Sequence, residues 1–190
     1  MLLKGEPLII HALRPALGCA ARVIIVGGYR FGELERLVSQ SHNLTAPEKQ
    51  GILLVENKAY PDGMFSSVKV GIRKVEEQVE GVFILPADMP CVDPATYRVL
   101  ADAFDAQKDI DVVSPTSRRI SLSHTTGSHP KKGHPILIRR RICPEILAAD
   151  EHWVLRDVLR QFSTSVVEVD DAGILIDIDE AKDLGRFEDR

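Results

Sequence analysis

Short runs of β-branched and aliphatic residues, ValIleIleVal from Val23 and IleLeuLeuVal from Ile52 among them, alternate along this chain with segments of helical period. That alternation admits few folds. Strands separated by helices pair largely in parallel, and the helices must then cover the faces of the sheet, so an α/β sandwich is expected. The apolar runs are strand-length, far short of the roughly 20 residues that a bilayer-spanning helix needs, and no membrane segment is expected. With 190 residues the chain can build one continuous core and is short for two, so a single domain over 1–190 is expected.

Element by element, Pro7 stands where a first-turn proline belongs, and a helix over 8–17 stops at Gly18. A strand over 22–26, a helix over 31–39, a strand over 52–56, a helix over 65–79 and a strand over 82–86 follow. A helix over 94–106 leads to a strand over 111–114. Residues 115–133, rich in Ser, Thr, His, Lys and Gly, then read as a long loop. A strand over 135–138, two short helices through Gln161, strands over 165–169 and 174–178, and a terminal helix complete the pattern. A parallel α/β domain normally opens with a strand; this chain opens almost directly into a helix.

A formal net charge of −4 leaves no broad basic field for a nucleic-acid backbone, although Arg139, Arg140 and Arg141 form a local cluster that could meet phosphate. A small anionic ligand suits the balance better than a polymer. Cys19, Cys91 and Cys143 are an odd, widely spaced trio without a Cys-x-x-Cys pair or a secretory leader. They point to inert thiols and a cytoplasmic protein rather than a disulfide framework or a structural zinc site.

Three segments carry chemistry. In Gly81-Val-Phe-Ile-Leu-Pro-Ala-Asp-Met-Pro-Cys-Val-Asp-Pro, an apolar strand runs out at Asp88, between Pro86 and Pro90. Ligands of open α/β sheets bind beyond the carboxyl ends of the strands, and a carboxylate there suits magnesium, which fills its other positions with phosphates and water. Asp88 serves equally well as a turn or capping residue on spacing alone, although Asp93 before Pro94 fits the cap better. In GlyIleLeuIleAspIleAsp, Asp177 and Asp179 alternate with apolar neighbours and share one side of a strand end; Asp179 could instead cap a final helix at the Lys182 backbone N–H. In the segment from Asn57 to Ile72, Gly63, Ser66 and Ser67 open a helix whose free N–H groups and hydroxyls can meet a base or a phosphate, or simply cap the helix. His124 and His129, five residues apart, fit no helix face and read as loop histidines.

LeuProAlaAspMetPro, GlyMetPheSerSerValLysValGlyIle, GlyHisProIleLeuIle and GlyIleLeuIleAspIleAsp occur in this order, and the chain resembles the MobA-like nucleotidyltransferases, closest to their molybdenum-cofactor cytidylyltransferase branch. LysGlyGluProLeuIleIleHisAlaLeu matches the stretch that follows that family's nucleotide loop. The resemblance implies a three-layer α/β/α fold of the nucleotide-diphospho-sugar transferase type with a mostly parallel mixed sheet. It also implies Mg2+-dependent transfer of CMP from CTP, or GMP from GTP, to a molybdopterin-type cofactor, with a molybdenum hydroxylase as a possible partner. On that basis Asp88 would hold the metal, with Asp177 and Asp179 completing its site. Asn57, Gly63, Ser66, Ser67 and Lys69 would lie along the nucleotide, and Gly133 and His134 would border the acceptor.

The departure from the family falls at the start. The family opens with a strand and a loop of the form Leu-Ala-Ala-Gly-x-Ser-x-Arg-Met-Gly that cradles the triphosphate, and neither is present here. Each charge-assisted phosphate contact so lost is worth about 1.5–3 kcal/mol. In the family that strand lies between the strands assigned here to 22–26 and 82–86, so two unpaired central edges, and with them poor stability, are expected. The expectation is a chain truncated at its N-terminus relative to the family, or one with a mis-assigned start. Two rivals follow: a sugar-phosphate or other small-molecule nucleotidyltransferase, and an inactive remnant that binds the cofactor or a partner protein.

Overall fold

The computed structural model describes residues 1–117, 131–150 and 152–179. A hairpin of two-residue strands, β1 (Leu2–Leu3) and β2 (Glu6–Pro7), turns at Lys4 and Gly5 and feeds helix α1 (Leu8–Leu17). Strand β3 (Val23–Gly27), helices α2 (Phe31–Gln40) and α3 (Ala46–Gln50), strand β4 (Ile52–Glu56) and helix α4 (Met64–Ile72) come next. The second half runs β5 (Gly81–Ile84), α5 (Pro94–Ala106), β6 (Val112–Ser117), β7 (Ile136–Arg139), α6 (Cys143–Ala148), α7 (Leu155–Leu159) and β8 (Thr164–Val169). Among the described residues no helix is long and apolar enough to cross a membrane.

Local chemistry sets several boundaries where the sequence places them. The Asp93 carboxylate accepts the Ala95 N–H at 2.7 Å and Pro94 occupies the first position of α5. Thr45 and Glu48 form a reciprocal capping box at α3.

The strands lie in separate sheets. β3 and β4 pair in parallel, and β5, β7, β6 and β8 form a mixed sheet in that order. In β3 the Val23 N–H reaches the Gly51 carbonyl and the Gly27 carbonyl takes the Asn57 N–H, so the odd-numbered residues bond toward β4. The main-chain groups of Ile24 and Val26 therefore point to the opposite edge. In β5 the Arg140 N–H donates to the Glu80 carbonyl, which puts Val82 and Ile84 toward β7 and the main chain of Gly81 and Phe83 on the other side. Among the described residues no strand pairs with either of these edges. All four residues of β5 are half-buried, whereas all six of β6 are buried. Among the described residues β3 and β5 thus each carry an unpaired edge, as the sequence leads one to expect.

What joins the two sheets is helix packing. On one face α4 places Gly71 against Val26 of β3, while its Phe65 and Ile72 share a core with Val112, Ile138, Ile146 and Val158, against which Val82 and Ile84 pack. On the other face α1 sets Ile10 and Leu13 against Ile25 and Val38, and its Ala16 against the Met89, Val92 and Tyr97 cluster that also holds Phe83. Helix α5 adds Leu100 and Phe104 over Val113 and Leu137. The layers are α1, α2 and α5, then strands, then α4, α6 and α7, the α/β/α order expected.

Several sequence expectations need correction. Helix α4 stops at Ile72 rather than at Val79, because the chain tightens into a turn in which the Lys74 and Val75 N–H groups reach carbonyls three residues back. Strand β6 runs on through Pro115, Thr116 and Ser117, all buried and paired in parallel with β8; the Pro115 carbonyl accepts the Gly133 N–H at 2.8 Å. Residues 174–178 form no strand: a 3-10 turn over Gly173–Leu175 is followed by an extended strap. His124, His129 and the terminal helix lie outside the described residues.

The arginine cluster has a structural use. Arg139, only 7% exposed, donates from Nε to the Ile110 carbonyl at 3.0 Å and from one terminal nitrogen to the carbonyls of Phe104 and Gln107. Its guanidinium carbon sits 3.7 Å from the centroid of the Phe104 ring. It thereby donates to the Phe104 carbonyl in the last turn of α5 and to two carbonyls of the chain that follows the helix. Arg140 donates to the Glu76 carbonyl and Arg141 pairs with Asp111, so the trio is turned to protein partners rather than presented together to a phosphate.

Candidate functional site

Asp88 follows β5 by four residues, beyond the carboxyl end of that strand. Its Oδ1 is buried without a hydrogen-bond partner. Burial is the largest influence on this carboxyl and raises its pKa above the ordinary value of 3.8; the carboxylates of Asp179 and Asp177 push it in the same direction. A buried, unpartnered carboxylate oxygen with acidic neighbours is a costly arrangement for an isolated protein and a fitting one for a bound cation.

The acidic neighbours arrive by a strap of chain that follows β8. Asp171, 8% exposed, accepts hydrogen bonds from the Asp93 N–H (2.8 Å), the Thr96 hydroxyl (2.8 Å) and the Gly173 N–H (2.7 Å). Gly173 presses on Cys91, where an added Cβ would lie 1.9 Å from the carbonyl oxygen. The Ile174 carbonyl accepts the His134 N–H at 2.9 Å, and the Ile178 N–H donates to the Asp88 carbonyl at 2.9 Å. Ile178 itself is buried with Leu3 of the N-terminal hairpin, which leaves Asp177 and Asp179 exposed on either side of it. The alternation noticed in the sequence is therefore real, but one backbone bond to Asp88 holds it rather than a strand ladder.

Gly173→Ala should accordingly lower stability by at least about 2 kcal/mol, since the methyl collides with main chain that cannot move aside cheaply. Urea unfolding of both proteins measures this, and a midpoint equal to the parent's would show that the strap does not seat on Cys91.

Gly133 and His134 belong to the same neighbourhood. A Cβ at Gly133 would stand 2.5 Å from the Ile174 carbonyl oxygen, so only glycine lets these segments meet. The His134 Nδ1 lies 3.4 Å from the Ile84 carbonyl. Burial, the strongest influence, lowers the His134 pKa below 6.5, with the Ile84 carbonyl and Asp88 opposing it. The His134–Pro135 peptide bond is cis.

The nucleotide-side candidates form a second group beyond the end of β4. Asn57, 2% exposed, donates from Nδ2 to the Ser66 hydroxyl (2.8 Å) and the Ser67 hydroxyl (3.0 Å), and its Oδ1 accepts the Ala59 N–H (3.0 Å). The Ser66 hydroxyl has the Gly63 and Ala59 carbonyls as acceptors at 2.7 and 3.0 Å. Gly63, at φ +98°, is the residue from which α4 starts. Asn57, Gly63, Ser66 and Ser67 are thus brought together and hold the 57–67 turn in shape. Lys69 is not part of that group: its Nζ donates to the Ala149 carbonyl, at the end of α6, and stands 5.0 Å from the centroid of the Phe65 ring.

Among the described residues no three His, Cys, Asp or Glu side chains stand close enough to enclose a metal ion by themselves. Asp88 with Asp177 and Asp179 forms an open acidic edge, which would suit a cation that takes one or two carboxylates and completes its shell with phosphate and water. Asp171, Gly173 and Thr96 went unassigned in the sequence. The Asp171-Ala-Gly173 stretch directly after a strand is an Asx-turn signature and marks the first two; nothing local marks Thr96.

Residues 1–166 match the sequence profile of the MobA-like NTP transferase domain. Over 173 residues, 91% of its own length and 77% of the relative's, the chain is 25% identical to the molybdenum cofactor cytidylyltransferase of Escherichia coli strain K12. Two solved structures have a similar fold. Rv0371C of Mycobacterium tuberculosis H37Rv in complex with manganese superposes with a TM-score of 0.72 at 16% identity, over 100% of this chain and 89% of that one. CMP:2-keto-3-deoxy-manno-octonic acid synthetase complexed with CTP also gives 0.72, at 12% identity, over 100% of this chain and 89% of its own. At those identities the likeness speaks for the fold, which is the three-layer nucleotidyltransferase architecture.

Proposed function

Because the chain belongs to the MobA-like NTP transferase family, we propose that it transfers CMP from CTP, or GMP from GTP, to the terminal phosphate of a molybdopterin-type cofactor and releases pyrophosphate. The observation that carries this is Asp88, whose buried oxygen has no partner and whose neighbours are the acidic strap and His134. The 25% identity to a molybdenum cofactor cytidylyltransferase supports the choice of acceptor and favours CTP.

In the transfer, an oxygen of the acceptor phosphate attacks the α-phosphorus of the nucleotide. A new phosphorus–oxygen bond forms, the bond from the α-phosphorus to the bridging oxygen of the β-phosphate breaks, and pyrophosphate leaves with the electron pair. No protein nucleophile is required, and catalysis rests on in-line placement and charge neutralisation. A divalent cation held at Asp88, with Asp177 and Asp179 beside it, would supply that neutralisation. The buried Asn57 fixes the 57–67 turn, so that the start of α4 presents Gly63, Ser66 and Ser67 to the nucleotide. Gly133 and His134 border the acceptor, with the imidazole kept neutral near pH 7 by its burial.

Isothermal titration of the purified chain with CTP and with GTP in the presence of Mg2+, followed by pyrophosphate release on adding molybdopterin, tests the proposal. Saturable binding of one nucleotide and stoichiometric pyrophosphate are expected. Pyrophosphate released only with a sugar phosphate as acceptor would move the substrate to that class. Silence with both nucleotides would favour an inactive remnant that binds the cofactor or a partner protein and turns over no nucleotide.

A further inference from the structure

Asp171 touches neither a candidate ligand nor Asp88, yet it is the point where the two segments that build the acidic edge are tied together. Its Oδ2 takes the N–H of Asp93, at the far end of the loop that begins at Asp88, and the hydroxyl of Thr96, which is 2% exposed in the first turn of α5. Its Oδ1 takes the N–H of Gly173, at the head of the strap that ends at Asp177 and Asp179. Between that head and the acidic pair the strap is held by main-chain contacts, Gly173 over Cys91, the Ile174 carbonyl on His134 and the Ile178 N–H on Asp88, and by the buried apolar side chains of Ile174 and Ile178. A backbone bond fixes height and direction but carries no preference among side chains. The Asp171 carboxylate, buried and with both oxygens used, adds a directional polar contact at the head of the strap, whereas the apolar burial of Ile174 and Ile178 carries no directional preference.

We propose that Asp171 is a positioning residue that sets Asp177 and Asp179 against Asp88, so that cation affinity at Asp88 depends on a carboxylate that never meets the cation. This rests on Asp88 as the cation-holding residue. Two carboxylates approach a third only against their mutual repulsion, so the strap must be held from outside the acidic cluster. Groups that orient a metal-binding side chain from behind change metal affinity by about 10–100-fold when removed.

The test is Mn2+ binding to the full chain, read by electron paramagnetic resonance with and without CTP, for the parent, Asp171→Asn, Thr96→Val, Asp88→Asn and Arg139→Lys. Asp171→Asn should weaken Mn2+ binding by about tenfold or more at a temperature where its near-ultraviolet circular dichroism matches the parent's. Thr96→Val keeps every charge and removes one of the three bonds, so it should weaken binding by less, in the same direction. Arg139→Lys lowers stability at a site remote from the strap and should leave Mn2+ affinity unchanged, which separates lost stability from lost position. Parent affinity in Asp171→Asn, with Asp88→Asn binding more weakly, overturns the proposal and spares the role of Asp88. If the parent binds no Mn2+, or Asp88→Asn binds it as well as the parent does, the role of Asp88 falls and the proposal with it. Should Asp171→Asn lose its native spectrum, Thr96→Val decides: weaker Mn2+ binding in a native fold supports the proposal, and unchanged binding overturns it.

Discussion

Asp88→Asn is expected to slow nucleotidyl transfer by about a thousandfold and, in the same protein without metal, to raise the thermal midpoint at neutral pH. The two effects share one cause. The Asp88 oxygen is buried without a partner and faces other carboxylates, a state that costs stability unless a cation occupies the site. The sign follows from the direction of the shift. With a folded pKa above the ordinary 3.8, the Asp88 carboxyl contributes stability that is fully present below 3.8 and is lost as the pH rises through the raised folded value. Above that value the charged group is a net cost, which asparagine removes. The midpoint difference between variant and parent should therefore be largest near neutrality and shrink as the pH falls toward 3.8. Saturating Mg2+ and CTP should reverse the order by stabilising the parent alone. Calorimetric scans across pH with and without metal, beside a pyrophosphate-release assay, read all of this. A variant that melts with the parent at every pH would remove Asp88 from the buried acidic edge.

The largest loss of stability away from the site is expected at Arg139. Arg139→Met keeps the apolar stem and the contact with Phe104 but strips the donors from the carbonyls of Phe104, Gln107 and Ile110. The Gln107 carbonyl keeps the Ile110 N–H, but the Arg139 donors to Phe104 and Ile110 are lost together with the charge at a helix C-terminus, which should cost about 3–5 kcal/mol in urea unfolding. Arg139→Lys, a charge without the planar fork, should recover part of that. A loss below about 1 kcal/mol for Arg139→Met would mean that water reaches those carbonyls at little cost.

Arg139 also shows where a sequence stops being legible. Beside Arg140 and Arg141 it reads as a basic cluster, and only the packing of β7 under the end of α5 reveals that its guanidinium is spent on the main chain. Helix α5 was legible because its determinants are local: Asp93 as cap, Pro94 in the first position and Leu100 and Phe104 on one face. The end of α4 was not, because Val75 continues the apolar spacing and does pack on the α4 core, but from a turn. Pro115-Thr-Ser reads as loop by polarity, yet these residues are buried in β6, where they pair in parallel with β8, about 50 residues away, and the Pro115 carbonyl takes the Gly133 N–H. In the candidate site, Asp88, Asp177 and Asp179 stood out because each sits at an interruption of an apolar run, whereas Gly133 and His134 stood out through the family resemblance alone. Asp171 and Thr96 act through each other across 75 residues, a separation that no window of sequence spans.

The absence of ladder hydrogen bonds between β3 and β5, among the described residues, has a consequence for cooperativity. The core around Ile10, Ile25 and Val38 and the core around Val112, Ile138 and Ile146 are coupled through the side chains of α1 and α4, and dispersion contacts of that kind loosen gradually where a hydrogen-bonded ladder would part all at once. Two cooperative units with a soft joint are the expected behaviour of such a chain, and native-state hydrogen exchange would resolve them. The acidic edge is carried by the larger unit, but Ile178, between its two aspartates, packs on Leu3 of the hairpin that feeds α1, so an opening of the β3–β4 half reaches the Asp88 neighbourhood through that contact.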